Sequence, residues 1–252
     1  MHNSLLGALA AEYQWRLSLY ALVGIVATTF VVRWLLLLAP TFKEAHRVNA
    51  GIFATKMQRP EYAANQKWNR MWSPVPFLII FGLILPFCLT SKAQPVWRMF
   101  LDGVAILMLY DLFYYFVHRF LFHGPILVRV HAIHHRQHNP CRMDASYIHP
   151  LEVAIGLALY AGTVFLLSLF MGKFNVATIV ATCVAFSEIN MHNHELWTEA
   201  RFPFKYLNYI SRMHHNHHAR FTGGNFATIS LLFDWMFGTL DNGKEMQDDA
   251  KA

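Results

Sequence analysis

Long apolar runs, interrupted by short polar segments, dominate the chain. Five of them read as helices that cross a bilayer, at 17–39, 74–89, 99–117, 151–171 and 174–191. A crossing helix needs about 20 mostly apolar residues, and the first and fourth runs supply them in full. The 74–89 run is shorter and carries Pro74, Pro76 and Pro86, so it reads as a kinked span or a re-entrant segment. Met171, Gly172 and Lys173 join the last two runs too tightly for anything but a helical hairpin. The polar stretch 40–72, with Trp68 and Trp72, predicts helix lying at the membrane interface. The expected fold class is an all-α membrane protein of four to five transmembrane helices, with a helical cap at the face where the third run ends.

Basic residues orient these spans. With five crossings, the side reached after Val117 receives sixteen Lys and Arg, from the 40–72 and 118–150 loops and the C-terminal tail. The opposite side holds four: Arg16, Lys92, Arg98 and Lys173. That bias makes the cap cytosolic and the N-terminus external. Residues 1–16 lack a basic leader and no small-residue cleavage site follows the first run, so that run is expected to stay as an anchor.

Composition agrees. Hydrophobic residues make up 55% of the 252 and charged residues 14%, with a mean hydropathy of +0.29. A soluble globule carries about 25% charge, and disorder needs low hydrophobicity, so both classes are excluded. The three cysteines, Cys88, Cys141 and Cys183, are far apart and odd in number, which rules out a disulfide scaffold. The basic residues are spread over loops beside aromatics, a pattern for anionic lipid rather than nucleic acid.

Histidine is out of proportion. There are 15, and 13 of them fall between His118 and His218. They form His118 and His123 after the third run, His131, His134 and His135 in HAIHH, His192 and His194 in MHNHE, and His214, His217 and His218 in RMHHNHH. The expected topology brings all four groups to one membrane face. Spacing of i, i+3, i+4 puts a triplet on one helix face, so each triplet is expected to aim three imidazoles at one small volume. His118 and His123, five apart, sit about 140° around an ideal helix, so either they serve different ions or the helix loosens before Gly124-Pro125. Nine or ten imidazoles exceed the four ligands of one ion and suit two. Nitrogen donors alone do not choose among Zn, Cu, Fe and Ni. His138 and His215 read as neighbours of the clusters, and His2 and His46 as surface residues. His149, ahead of Pro150, is balanced between a helix start and a role at the site.

Imidazoles that bind metal need an acceptor for the second ring nitrogen. Asp144, His149, Glu188 and Asp234 are candidates near the site, with Glu152 and Glu195 beside them. Asp111, two turns before His118, is a further candidate and is expected to be buried.

These residues together resemble the fatty acid hydroxylase/sterol desaturase superfamily. DLFYYFVHRFLFH is similar to its D-x-x-x-Y-x-x-H-R-x-x-x-H box, HAIHH to H-x-x-H-H, and His149-Pro150-Leu151-Glu152 to H-P-x-E. MHN at 191–193 resembles the lone histidine after the last span, and His214-His215-Asn216-His217-His218 the final box. Gly224-Asn225-Phe226 and the FDWMFGT ending from Phe233 resemble the family's closing signature, although Phe233-Asp234-Trp235 reverses its aromatic-acid order. The resemblance covers about residues 99–241. It implies a catalytic region over 99–241, preceded by transmembrane and interfacial helices at 1–98 and followed by a polar tail at 242–252.

The resemblance also implies a non-haem di-iron oxygenase that uses O2 as co-substrate and acts on a membrane lipid. Its iron ligands map onto His118, His123, His131, His134, His135, His214, His217 and His218, with His192, His194 or both completing the set. No cytochrome domain is fused, so a separate donor of cytochrome or ferredoxin type, with its reductase, is expected. Hydroxylation of a fatty acyl, sterol or related chain is preferred because it needs one hydrogen abstraction; desaturation, which needs two, is the alternative on the same site. Phe113, Tyr114, Tyr115 and Phe116 line a lipid route or, more in keeping with their helical spacing, pack the interior. A transition-metal transporter would carry histidines and acids inside its spans, and a zinc-dependent hydrolase would show H-E-x-x-H; neither pattern is present.

Overall fold

Apolar composition without a polar face builds the helices that form the body of the protein. The computed structural model describes Gly7, 9–197, Glu199 and 201–243. His2 and most of the expected polar tail, 244–252, lie outside the described residues. Helix α1 (Trp15–Leu36) is followed by two amphipathic helices, α2 (Pro40–Lys56) and α3 (Pro60–Trp72), each opened by a proline at its first position, where no N–H is needed. Then come α4 (Pro74–Leu83), the single turn α5 (Leu85–Cys88), β1 (Leu89–Thr90) and α6 (Val96–Val117). After the one-turn α7 (Val128–His131) follow α8 (Pro150–Met171), β2 (Phe174–Asn175), α9 (Val176–Asn193), α10 (Lys205–Ala219) and α11 (Leu232–Met236).

Five segments run between the same two ends of the bundle. β1 and β2 pair in parallel, Leu89 opposite Phe174, and Arg98 donates to the Met171 carbonyl at 2.8 Å. Gln14 N–H bonds the Pro86 carbonyl at 3.0 Å. These contacts gather one end. At the other end Arg33 pairs with Glu188 at 2.8 Å, and the end of α6 meets the start of α8. Helices α1, α6 and α9 therefore point toward this second end, while α4–α5 and α8 return from it.

Among the described residues, three helices are long and apolar enough to cross a membrane: Leu9–Leu36, Val96–Phe122 and Pro150–Met171. This differs from the expected four to five. The 74–89 run is broken at Ile84, ahead of Pro86, into two short helices. Helix α9 has only 18 residues, and Thr178, Thr182, Ser187, Glu188 and Asn190 dilute its apolarity. The protein is an all-α integral membrane protein: α1 turns Phe30 and Trp34 outward at 71% and 62% exposure, and α8 does so with Phe170 at 81%. Apolar surface on this scale needs a hydrocarbon partner.

The inner faces close on a core of Ala21, Phe81, Leu85, Ile106, Tyr110, Tyr160 and Ile179. Gly24 lets α1 approach α9, because a Cβ there would meet Val180 at 2.9 Å. Tyr160 satisfies its hydroxyl on Thr182, 2.7 Å away on α9. The aromatics at 113–116 divide: Tyr115 is fully buried and Phe116 is 40% exposed, while Tyr114 lies 5.2 Å from the His118 ring.

Helices α2 and α3 clamp the loop before α8. Asp144 accepts from Lys56, from the Tyr62 hydroxyl at 2.6 Å and from Cys141 N–H at 2.7 Å. Tyr62 stacks on Tyr147 at 4.9 Å. Asp144→Ala leaves the buried Lys56 ammonium without its carboxylate, and breaking a buried pair costs about 3–5 kcal/mol. A melting curve of the detergent-solubilised variant is expected to show a clear loss of stability; a wild-type melting temperature would show that the clamp is not what holds this loop.

Candidate metal centre

The histidines converge at the end of the bundle where α6 and α9 terminate and α8 begins. They fall into two groups. His118, His123, His131, His135 and His217 form one, and His134, His194, His214 and His218 the other; within each group the ligand atoms lie within 4.8 Å of one another. Burial is nearly complete, with His118, His131, His134, His135, His194, His217 and His218 all at 6% exposure or less.

Local structure explains the sorting. Helix α6 ends in a π-turn, His118–Phe122, in which His123 N–H bonds the His118 carbonyl at 3.0 Å. The wider turn brings residues five apart onto one face, so His118 and His123 join the same group. Each triplet is split rather than focused on one volume, which corrects the expectation from spacing. His131 and His135 enter the first group while His134, on the 3-10 turn after α7, enters the second. On α10 the i, i+4 pair His214 and His218 faces the second group, and His217 crosses to the first.

Hydrogen bonds at the outer nitrogens set the tautomers. Nδ1 of His118 donates to the Phe226 carbonyl at 2.6 Å, that of His123 to Phe221 at 2.8 Å and that of His217 to Gly224 at 2.8 Å. In the second group, His134 donates to Tyr147 at 3.0 Å and His194 to Asn190 at 2.8 Å. His131 donates to a carboxylate, Glu152, at 2.7 Å. A carbonyl only accepts, so the five carbonyl-bonded rings each carry a lone pair on Nε2, and an ionised Glu152 leaves one on His131.

The Nε2 atoms crowd together. Nε2 of His118 lies 2.9 Å from that of His131, which lies 3.0 Å from His135, itself 3.1 Å from His217. His194 sits 3.0 Å from His134, 3.0 Å from His214 and 3.2 Å from His218. His123 Nε2 is buried with no partner. Facing lone pairs at this distance repel unless a cation lies between them. The donor set therefore fits two metal ions.

Burial holds the imidazoles neutral, as a metal requires. It pulls the pKa of His123 and His131 down to about 3. His194, His214, His217 and His218 are lowered too, by burial first and neighbouring imidazoles second, and His134 is lowered by burial against the opposing pull of Glu152. In the unfolded chain the same groups titrate near 6.5. Their folded values are depressed, so the stability tied to neutrality is full above that pH and is lost as pH falls toward 3. Metal content and melting temperature are expected to fall together below about pH 6.5; a flat profile between pH 7 and pH 5 would contradict this.

The remaining candidates separate. His192 lies outside both groups: it accepts from Trp197 Nε1 at 3.0 Å and faces the Leu207 carbonyl at 3.2 Å, because α9 turns the ring before its last residue outward and only the cap residue His194 inward. None of the five proposed supports touches an imidazole of either group. Asp111 accepts from Thr228, Ile229 and Ser230. Asp234 accepts from Phe226, Ala227 and Thr239. Asp144 holds the loop whose Tyr147 carbonyl meets His134. Glu188 pairs with Arg33 and Arg142. His149 caps α8 by accepting from Leu151 N–H at 3.0 Å and packs on Trp68. Among the described residues the carboxylate that bonds such an imidazole is Glu152, at the end of the H-P-L-E motif that points to it. His138 and His215 belong to neither group.

The closing signature also acquires a physical role. A Cβ on Gly224 would lie 1.7 Å from the Thr239 carbonyl, so only glycine fits there. Asn225, at φ 65, donates to Met213 and Asp241 carbonyls at 2.8 Å each. The segment so held presents the Gly224 and Phe226 carbonyls to His217 and His118. Beside His214 is a cavity of about 10 Å³, lined also by Thr228 and by Asn193, whose buried Oδ1 has no partner.

Fold and site together define a membrane protein with two buried histidine clusters, each of a composition able to hold a metal ion. The family model for fatty acid hydroxylase matches residues 103–239, and the chain belongs to that family. It is 30% identical to methylsterol monooxygenase erg25B of Aspergillus fumigatus over 68% of this chain and 56% of that one. To methylsterol monooxygenase 1 of Rattus norvegicus it is 32% identical over 51% of this chain and 43% of that one. Protein CER1-like 2 of Arabidopsis thaliana is 28% identical over 60% of this chain and 26% of its own length. The chain thus spans about half the length of the methylsterol monooxygenases it matches. No solved structure matches it.

Proposed function

We propose that the protein is a di-iron oxygenase that hydroxylates a C–H bond of a membrane lipid. The carrying observation is the convergence of imidazole Nε2 atoms 2.9–3.2 Å apart in two separate groups, with the outer nitrogens of six rings held by acceptors. His118, His123, His131, His135 and His217 would hold one ion, and His134, His194, His214 and His218 the other. Iron bound there supplies, with O2, two electrons and two protons, the oxidising power that turns C–H into C–OH and releases water.

The chain's own residues orient and protect. Backbone carbonyls of Phe226, Phe221, Gly224, Tyr147 and Asn190 lock the rings with Nε2 inward, so little reorganisation accompanies metal binding. The carboxylate of Glu152 makes His131 a stronger donor than a carbonyl would. Near-complete burial excludes water, which limits side reactions of an oxidant. Relatives that are methylsterol monooxygenases favour oxygen insertion over desaturation, and lipid is the substrate class that a bundle open to the bilayer selects. The surplus of Lys and Arg at the histidine end supports a cytoplasmic centre, where a separate cytochrome- or ferredoxin-type donor delivers electrons. Residues 99–241 are the catalytic unit in this reading.

Expression in a host without the activity, followed by untargeted lipid mass spectrometry beside His134→Ala, tests it. Lipids heavier by one oxygen in the wild type alone are expected. Loss of two hydrogens would replace hydroxylation by desaturation, and identical profiles across supplied fatty acyl and sterol substrates would overturn both.

A further inference from the structure

A second cavity, of about 520 Å³, lies at the histidine end of the bundle between α1, α2, α9 and α10. None of the nine imidazoles lines it. Its volume is that of a pocket for one small organic molecule. Leu36, Leu37, Phe42, Phe53, Ile189 and Leu207 make its walls largely apolar. Leu36 ends a membrane span, so this wall of the cavity stands at the depth where lipid headgroups meet acyl chains.

A closed electrical circuit runs along one wall. Arg33 pairs with Glu188 at 2.8 Å, Glu188 with Arg142, and Arg142 with Glu195 at 3.1 Å. Two guanidinium groups therefore face two carboxylates, with no charge left over. His192 lies beside this chain: its Nδ1 accepts from Trp197 at 3.0 Å and stands 3.3 Å from Glu195 Oε2, while Nε2–H donates to the Leu207 carbonyl. An anionic head would bring an unmatched charge against two glutamates, which costs binding energy. A hydroxyl can donate to a carboxylate and accept from a guanidinium at once.

We propose that this cavity binds one neutral, hydroxyl-bearing lipid from the bilayer, its head on the Arg33–Glu188–Arg142–Glu195 chain and its apolar body against Phe42, Ile189 and Leu207. Binding of this kind needs no metal, so the inference stands apart from the oxygenase reading.

The test uses the full-length, metal-loaded protein in phosphatidylcholine nanodiscs and three photoreactive diazirine probes: a sterol, a fatty alcohol and the fatty acid of equal chain length. Crosslinked peptides are mapped by mass spectrometry. Sterol and alcohol probes are expected to label residues 33–53 and 185–207, with the acid weaker by about tenfold. Ile189→Trp and Leu36→Trp fill the cavity from opposite walls and are each expected to cut labelling about tenfold at unchanged metal content. Glu188→Gln leaves the arginines in excess and is expected to raise acid labelling relative to alcohol by about tenfold. Metal-stripped protein is expected to label as the loaded protein does, which separates this result from any failure of lipid oxidation. Equal labelling by acid and alcohol in the wild type, labelling that survives both tryptophan variants, or an unchanged ratio in Glu188→Gln would overturn the proposal.

Discussion

His194→Ala is expected to halve the metal content of the purified protein and to abolish lipid oxidation, while His192→Ala, two residues away, keeps both ions. The contrast follows from position. Nε2 of His194 is the hub of the second group, 3.0–3.2 Å from His134, His214 and His218, whereas His192 bonds Trp197 and faces a carbonyl. Removing even an outer hydrogen-bond partner of a ligand costs about 10–100-fold in affinity or activity, and loss of the hub ligand exceeds that. Element analysis of the two variants, beside lipid turnover, checks the prediction. Full metal content in His194→Ala, or loss of metal in His192→Ala, would show that the rings have been assigned to the wrong roles.

Asp111→Ala is expected to be the most destabilising single substitution outside the cages. The buried carboxylate accepts backbone N–H groups of Thr228, Ile229 and Ser230 at 2.8–3.0 Å and the Ser230 hydroxyl at 2.8 Å. Each buried donor left without an acceptor costs about 1–3 kcal/mol, so four together reach on the order of 5 kcal/mol or more, a large part of the ~5–15 kcal/mol that holds a domain together. The effect also reaches the metal. Thr228 lies two residues after Phe226, whose carbonyl orients His118, so the segment loses its anchor and the ring its acceptor. A drop in melting temperature of about 10–20 °C, with metal lost from the first group, is the expected result. Wild-type stability would mean that Asp234, through Phe226 and Ala227, holds the segment alone.

Much of this site was legible before any coordinates. Apolar runs locate the bundle because lipid leaves no alternative to helix, and the four histidine boxes stand out because imidazole is scarce in an ordinary membrane protein. What stayed hidden depends on backbone geometry. Spacing of i, i+3, i+4 assumes a continuous helix, yet HAIHH spans the end of α7 and a 3-10 turn, so His134 swings to the other group. The five-residue gap between His118 and His123 gave two options, and only the π-turn decided between them. Glu152 was one acid among several until its contact with His131 was seen. The carbonyls of Phe226 and Gly224 leave no mark in side-chain patterns at all, although the glycine that permits their approach does. Pro86 marked the second run as irregular, without showing that the helix would break at Ile84.

The central claim is that two ions sit in two separate imidazole cages. Anomalous X-ray diffraction at the iron edge, on crystals of the iron-loaded protein, addresses it most directly. Two peaks are predicted, one enclosed by His118, His123, His131, His135 and His217 and the other by His134, His194, His214 and His218. A single peak shared between the groups, or iron bound away from these rings, would contradict the account.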